Sequence, residues 1–194
     1  MLKPSLVWVS LLLAVSSCYS LKKRIETGEP YNDQINWPKE ASPSEVDFYI
    51  HNRIEVEARP EEVWNLLIQA ESWSEWYEGM QNVEVLNDEN GMIRSASQLK
   101  FHTMNRDFDA QVIEYIPNER LTWETNHPKL HAVHSWLIVQ NENGCLLITD
   151  ETQTGTLAKL QKVFLPNKLQ KLHDIWLGGF KEKLENQSNK LSAK

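Results

Sequence analysis

The residues VDFYIHNRIEVEA at 46–58 alternate in their second half, with Ile54, Val56 and Ala58 on one side and Arg53, Glu55 and Glu57 on the other. That period of two predicts a half-buried strand. Arg59-Pro60-Glu61-Glu62 then opens a helix, with proline at an early position and acids in the first turn. Val63, Trp64, Leu67 and Ile68 recur at helical spacing and form its buried stripe. A second short helix is expected over AESWSEWYEGM at 70–80, stopping at Gly79, with Trp73, Trp76 and Tyr77 on one face. Six more strands are predicted near 81–87, 92–102, 106–116, 120–126, 132–140 and 145–154. Their links, among them Pro117-Asn118-Glu119 and Asn141-Glu142-Asn143-Gly144, are turn chemistry of hairpin length. The result is an antiparallel meander, seven strands with the first.

From Thr156 to about Gln187 the period returns to that of a helix, broken or kinked at Pro166. Leu165, Leu169, Leu172, Trp176, Phe180 and Leu184 make a continuous apolar stripe. A stripe of that length needs an equally large apolar surface, and the concave face of a curved sheet is the one available. The domain therefore spans 45–187, with a polar tail at 188–194 expected to be disordered. Residues 19–44 are polar, carry Pro30, Pro38 and Pro43, and read as a tether on which Trp37 is the residue able to dock.

The first 18 residues are a targeting segment: Lys3, an apolar run from Leu6 to Val15, then small residues. The run is shorter than the ~20 residues a membrane span needs. Val15-Ser16-Ser17-Cys18 resembles a bacterial lipobox, which makes Cys18 the lipidation site and anchors the chain to a membrane. Two alternatives stay open: a plain cleaved signal peptide, and an uncleaved anchor favoured by Lys22-Lys23-Arg24. No aspartate follows Cys18, which by resemblance to lipoprotein sorting favours the outer membrane, facing the periplasm. With Cys18 acylated, Cys145 is the one thiol left and no internal disulfide forms. It reads as a small buried apolar residue.

Charge narrows the partners. The chain carries 20 basic and 27 acidic residues for a net −7, and Lys3 is the single charge before position 19, leaving −8 on the remainder. A domain that acidic is unsuited to phosphate backbones, so nucleic acid is not an expected partner. The 41% hydrophobic and 24% charged residues are ordinary for a globular domain, whereas eight tryptophans bring unusual buried area.

The order strand, two short helices, six-strand meander and long last helix is that of the helix-grip fold. IEVEARPEEVWNLLIQAESWSEWYEGMQNVEVL resembles the opening of SRPBCC/START-like domains, the polyketide cyclase/dehydrase and lipid-transport superfamily, with Val63-Trp64 and Trp76 at its recurrent positions. QVIEYIPNERLTWE is similar through Val112, Pro117, Leu121 and Trp123. HSWLIVQNENGCLLITDETQTG is similar through Trp136, Gly144, Thr149, Glu151 and Gly155. The resemblance implies an α+β fold, a seven-stranded curved antiparallel sheet around the long C-terminal helix, enclosing an apolar cavity. Trp76, Leu99, Phe101, Trp123, Trp136, Phe164 and Trp176 are expected to line it. A polar minority of His134, Thr149, Glu151 and Gln153, with Ser97 beside them, faces the same space. Trp76 is expected to pack inward, and Trp73 and Tyr77 to flank the entrance.

A hydrophobic or amphipathic small molecule (a lipid, quinone or polyketide-like compound) is the expected partner of a monomeric, non-enzymatic carrier, with His134 and Glu151 orienting its polar end. A cyclase or dehydratase using the same cavity is the alternative, with His134 or Glu151 as acid or base. An envelope interaction module with a filled cavity is the third. No cofactor is expected. His127, His131 and His134 in HPKLHAVH invite a metal reading, but 131 and 134 point to opposite faces of a strand, so no metal is expected either. The sequence has no glycine-rich phosphate loop and no G-x-S-x-G elbow.

Overall fold

A computed structural model describes residues 32–192 other than Glu89. Backbone contacts separate the stretch up to Asn36, in which Asn32–Gln34 form a 3-10 turn, from a unit that starts at Trp37 and holds the sheet and the long helices. Residues 1–18, including Cys18, lie outside the described part. Among the described residues no helix is long and apolar enough to cross a membrane.

The alternating stretch becomes β1 (Phe48–Val56), with Ile50, Asn52 and Val56 buried and Arg53 and Glu55 exposed. Helix α1 (Pro60–Ile68) starts at its proline, and the Arg59 amide donates to Glu62 Oε2 at 2.9 Å as an N-terminal cap. The next stretch, Ala70–Glu75, winds as a 3-10 helix rather than an α-helix. Trp76 ends that helix and leaves helical geometry at φ −139°, while the Tyr77 amide donates to the Trp73 carbonyl at 2.8 Å. Trp73 and Tyr77 consequently go inside, 0% and 3% exposed, while Trp76 stays half-buried. Trp73 and Tyr77, expected at the entrance, are thus core, and Trp76 packs on Phe180 of the last helix from the side.

The remaining strands are β2 (Gln81–Val85), β3 (Gln98–Thr103), β4 (Arg106–Ile116), β5 (Arg120–His127), β6 (Leu130–Asn141) and β7 (Gly144–Thr154). β3 begins later than the expected 92. The preceding residues instead turn back on α1, where the Ile93 amide donates to the Ile68 carbonyl at 2.7 Å. That bond satisfies an orphan carbonyl at the helix C-terminus. The sheet order is β1-β7-β6-β5-β4-β3-β2, antiparallel throughout. β1 and β2 thus sit at opposite edges although they are neighbours in sequence.

Pro166 separates α2 (Thr156–Phe164) from α3 (Lys168–Ser192), which runs on into the expected tail as far as Ser192. The α3 stripe of Leu169, Trp176, Leu177, Phe180 and Leu184 is buried. Asn52 on β1 fixes the helix, its Nδ2 donating to Asp174 Oδ1 at 2.6 Å and to the Gln170 carbonyl at 3.1 Å. The sheet wraps this helix, as the helix-grip order implies. β7 is buried on both faces. On the outer one, Asp150 accepts from the Tyr49 hydroxyl at 2.8 Å and pairs with His51 Nδ1 at 2.7 Å, and the 3-10 turn Lys39–Ala41 buries Ala41 nearby.

Candidate functional site

The register of the antiparallel ladder decides which inward side chains meet. One rung carries Trp123, His134 and Glu151 across β5, β6 and β7, with Ile50 of β1 beside Glu151. The rung toward α2 carries Thr125, Ala132 and Gln153. The rung on the other side carries Leu121, Trp136 and Thr149. Successive rungs lie two residues apart, so all three face the helix.

Trp176 of α3 stands over the middle rung and partitions the space beneath the helix. Its ring stacks on Tyr77 at 4.7 Å and meets Trp73 edge-on at 5.0 Å and Trp136 at 4.9 Å. On the Trp136 side the space is solid: Trp136 packs on Phe180 at 5.2 Å, and Phe180 on Trp76 at 5.0 Å. On the Ala132 side it is open, a cavity of about 440 Å³, within the usual range of small-molecule sites. A small side chain helps make the difference, since along β6 Ala132 stands there where the other side has Trp136.

The mouth lies between the β3–β4 hairpin and α2. Met104 and Asn105 take positive φ at the hairpin tip, 50° and 62°, the geometry of a two-residue turn. Arg106 on one lip and Lys168 on the other are exposed, together with Leu160, Phe164 and Leu165. Phe101, Phe108, Met80 and Leu157 line the walls.

At the buried end the polar groups converge. His134 Nδ1 lies 3.3 Å and His173 Nε2 3.2 Å from Glu151 Oε2. His134 Nε2 is 2.7 Å from Thr149 Oγ1, and Gln153 Nε2 donates to Glu151 Oε1 at 2.5 Å. All five residues are buried. Burial lowers the basicity of His134 and keeps the ring neutral at neutral pH. Burial alone would raise the Glu151 carboxyl, but the two imidazoles outweigh it and hold the group ionised, well below the ordinary carboxylate range. Burial and that negative charge together push the Tyr77 hydroxyl upward, so it stays a hydrogen-bond donor.

Of the expected cavity residues, Phe101, Trp123, His134, Glu151, Gln153, Phe164 and Trp176 line it. Four do not. Leu99 is buried core although the register sets it on the Thr125–Ala132 rung, Trp136 is core on the solid side, Thr149 supports His134 from behind, and Trp76 lies against α3, where a Cβ on Gly179 would sit 2.8 Å from its ring. Ser97 is buried and bonded within the 94–97 turn. Of the three histidines of HPKLHAVH, His134 alone reaches the cavity, while His131 pairs with Glu124 at 3.2 Å. His173 escaped the sequence reading. Its signal was positional: 169, 173, 176 and 180 keep the helical spacing of the stripe, so a histidine stands where the pattern demands an apolar residue.

The sequence profile described as polyketide cyclase/dehydrase and lipid transport matches residues 56–186. Comparison with proteins of curated function returns no match. Among solved structures, a hypothetical protein from Helicobacter pylori superposes with a TM-score of 0.72 and 26% identity, over 77% of this chain and 95% of that one. The Zhui aromatase/cyclase from a Streptomyces species gives 0.61 with 11% identity, over 73% and 95%. The di-domain aromatase/cyclase StfQ of the steffimycin pathway gives 0.60 with 13%, over 73% of this chain and 51% of that one, about half its length. The last two likenesses are of fold. The profile covers well over half of the residues, and the chain belongs to the polyketide cyclase/dehydrase and lipid transport family.

Proposed function

We propose that the domain is a binding or carrier protein for a hydrophobic or amphipathic small molecule (a lipid, a quinone or a polyketide-like compound). The observation that carries this reading is the 440 Å³ cavity, walled by apolar side chains and closed at its buried end by His134, Glu151 and His173. Moving an apolar ligand surface from water into it gains ~25 cal/mol per Å² before the costs of association. An ionised carboxylate at the closed end favours a ligand whose polar end donates a hydrogen bond, such as a hydroxyl or phenol. Membership of a family that includes lipid transport supports the same reading. Native mass spectrometry of protein purified from its own membranes, followed by organic extraction, tests it. A co-purifying amphipathic species is expected. Only the bare chain mass, with no binding of fatty acids or quinones by tryptophan quenching, sinks it.

The burial of Glu151 and His134 against the cavity favours a second reading, a cyclase or dehydratase that moves a proton there. Lost turnover with retained binding in Glu151→Gln distinguishes it from the carrier. The carrier reading includes export and an acyl anchor on Cys18, with the domain facing the periplasm. This part rests on the first 18 residues alone, and Cys18→Ser is expected to release the protein from the membrane fraction.

A further inference from the structure

Two of the three donor pairs at the closed end of the cavity have the separation of neighbouring ligands on one metal ion. A charge-assisted bond between imidazole and carboxylate closes to about 2.7–2.9 Å. His134 Nδ1 and His173 Nε2 instead stand 3.3 and 3.2 Å from one and the same oxygen, Glu151 Oε2. The three candidate donor atoms all lie within 4.8 Å of one another. Zinc–ligand bonds of about 2.0–2.2 Å at tetrahedral angles place neighbouring donors ~3.3 Å apart, the separation of each imidazole nitrogen from Oε2. We propose that His134, Glu151 and His173 bind a divalent first-row transition ion, with Zn²⁺ the best fit, leaving a fourth coordination position open to the cavity.

The surrounding groups hold the donors in the orientation such an ion requires. Thr149 Oγ1, 2.7 Å from His134 Nε2, occupies one ring nitrogen and turns the other toward the site. Gln153 Nε2 engages Glu151 Oε1 and leaves Oε2 for the ion. Thr149 and Gln153 are thus positioning residues. Two imidazoles and one carboxylate with one open position form the donor set of open zinc sites, and no thiolate is present to favour a softer ion. The ligands come from β6, β7 and α3, so a bound ion would clamp the helix to the sheet. The site is complete without any organic ligand and does not depend on what fills the cavity.

The test uses the full chain, produced without a histidine tag, stripped with chelator and then exposed to Zn²⁺ or Co²⁺ before desalting. Elemental analysis is expected to find close to one Zn²⁺ per chain, and the melting temperature to rise with Zn²⁺ concentration. Co²⁺ is expected to give the visible absorption of a tetrahedral site. Glu151→Gln preserves shape while removing the anionic donor and is expected to weaken retention at least 100-fold, as is His173→Gln. Thr149→Val, which acts through His134, is expected to cost about 10–100-fold, and His131→Ala nothing. A stripped wild-type chain that retains no Zn²⁺ overturns the proposal. So does a folded Glu151→Gln variant that retains it like wild type. Neither outcome touches the carrier reading, because no organic ligand enters the assay.

Discussion

Ala132→Leu separates an open cavity from a filled one by the sign of its effect. Ala132 sits on β6, 8% exposed, lines the cavity beside Leu130 and packs with Ala158. Leucine adds three carbons, worth ~0.8 kcal/mol each when buried, or about 2.4 kcal/mol together. Lost rotamer freedom takes back ~0.5–1 kcal/mol, leaving a gain of about 1.5 kcal/mol. For a domain of this size each kcal/mol moves the melting temperature by ~2–4 °C, so the variant is expected to melt roughly 3–6 °C higher. Were the space already occupied by side chains, the same substitution would overpack it at a cost of ~1–3 kcal/mol. Calorimetry on both proteins after solvent extraction keeps a bound ligand from contributing to the wild-type value. The variant should also lose the co-purifying species. A lower melting temperature combined with unchanged ligand content would refute the cavity argument at its root.

Two further perturbations probe the frame around the site. Gly144 opens β7 at φ +146°, and a Cβ there would lie 2.2 Å from the Val56 carbonyl oxygen and 2.9 Å from the Ala58 nitrogen. Gly144→Ala is expected to cost ~1–3 kcal/mol in urea unfolding with an unchanged slope, and an unshifted midpoint would contradict that close approach. Burial pushes the Cys145 thiol up to about 11, and the thiol donates to the Ala58 carbonyl at 3.0 Å. At pH 8 the native protein should leave Cys145 unalkylated by iodoacetamide, with labelling that climbs toward pH 10 and becomes fast on unfolding. Peptide mass spectrometry reads this directly, and rapid native labelling at pH 8 would place the residue elsewhere.

Much of the fold was legible because two periodicities carry it. Period-two alternation marked β1, and apolar residues every three or four positions marked α1 and α3. The cavity was harder to read, since a void is defined by where side chains are small and by which rungs align. Phe101, Trp123 and Trp136 look alike in sequence, yet Trp176 and the ladder register put the first two on the open side and Trp136 on the solid side. The placement of Trp73, Trp76 and Tyr77 has another cause. A helical-wheel argument assumes that the helix continues through all three rings, and here it ends at Glu75, so Trp76 leaves the common face. His173 was missed because its partners lie on two strands, and only the tertiary fold brings Glu151 within 3.2 Å of it.

The position of β1 at the far edge of the sheet sets a timetable for the molecule's birth. Phe48 pairs with Gln153 and Val56 with Cys145, partners separated by roughly a hundred residues. At synthesis rates of about 5–20 residues per second, β1 emerges ~5–20 s before the strand that completes it. Until then Ile50, Ile54 and Val56 belong to an unpaired edge, open to mispairing with another chain. The closed end of the cavity forms later still, once β7 has supplied Glu151 and α3 has supplied His173. The binding site therefore comes into being only after both β7 and α3 have been made, long after β1.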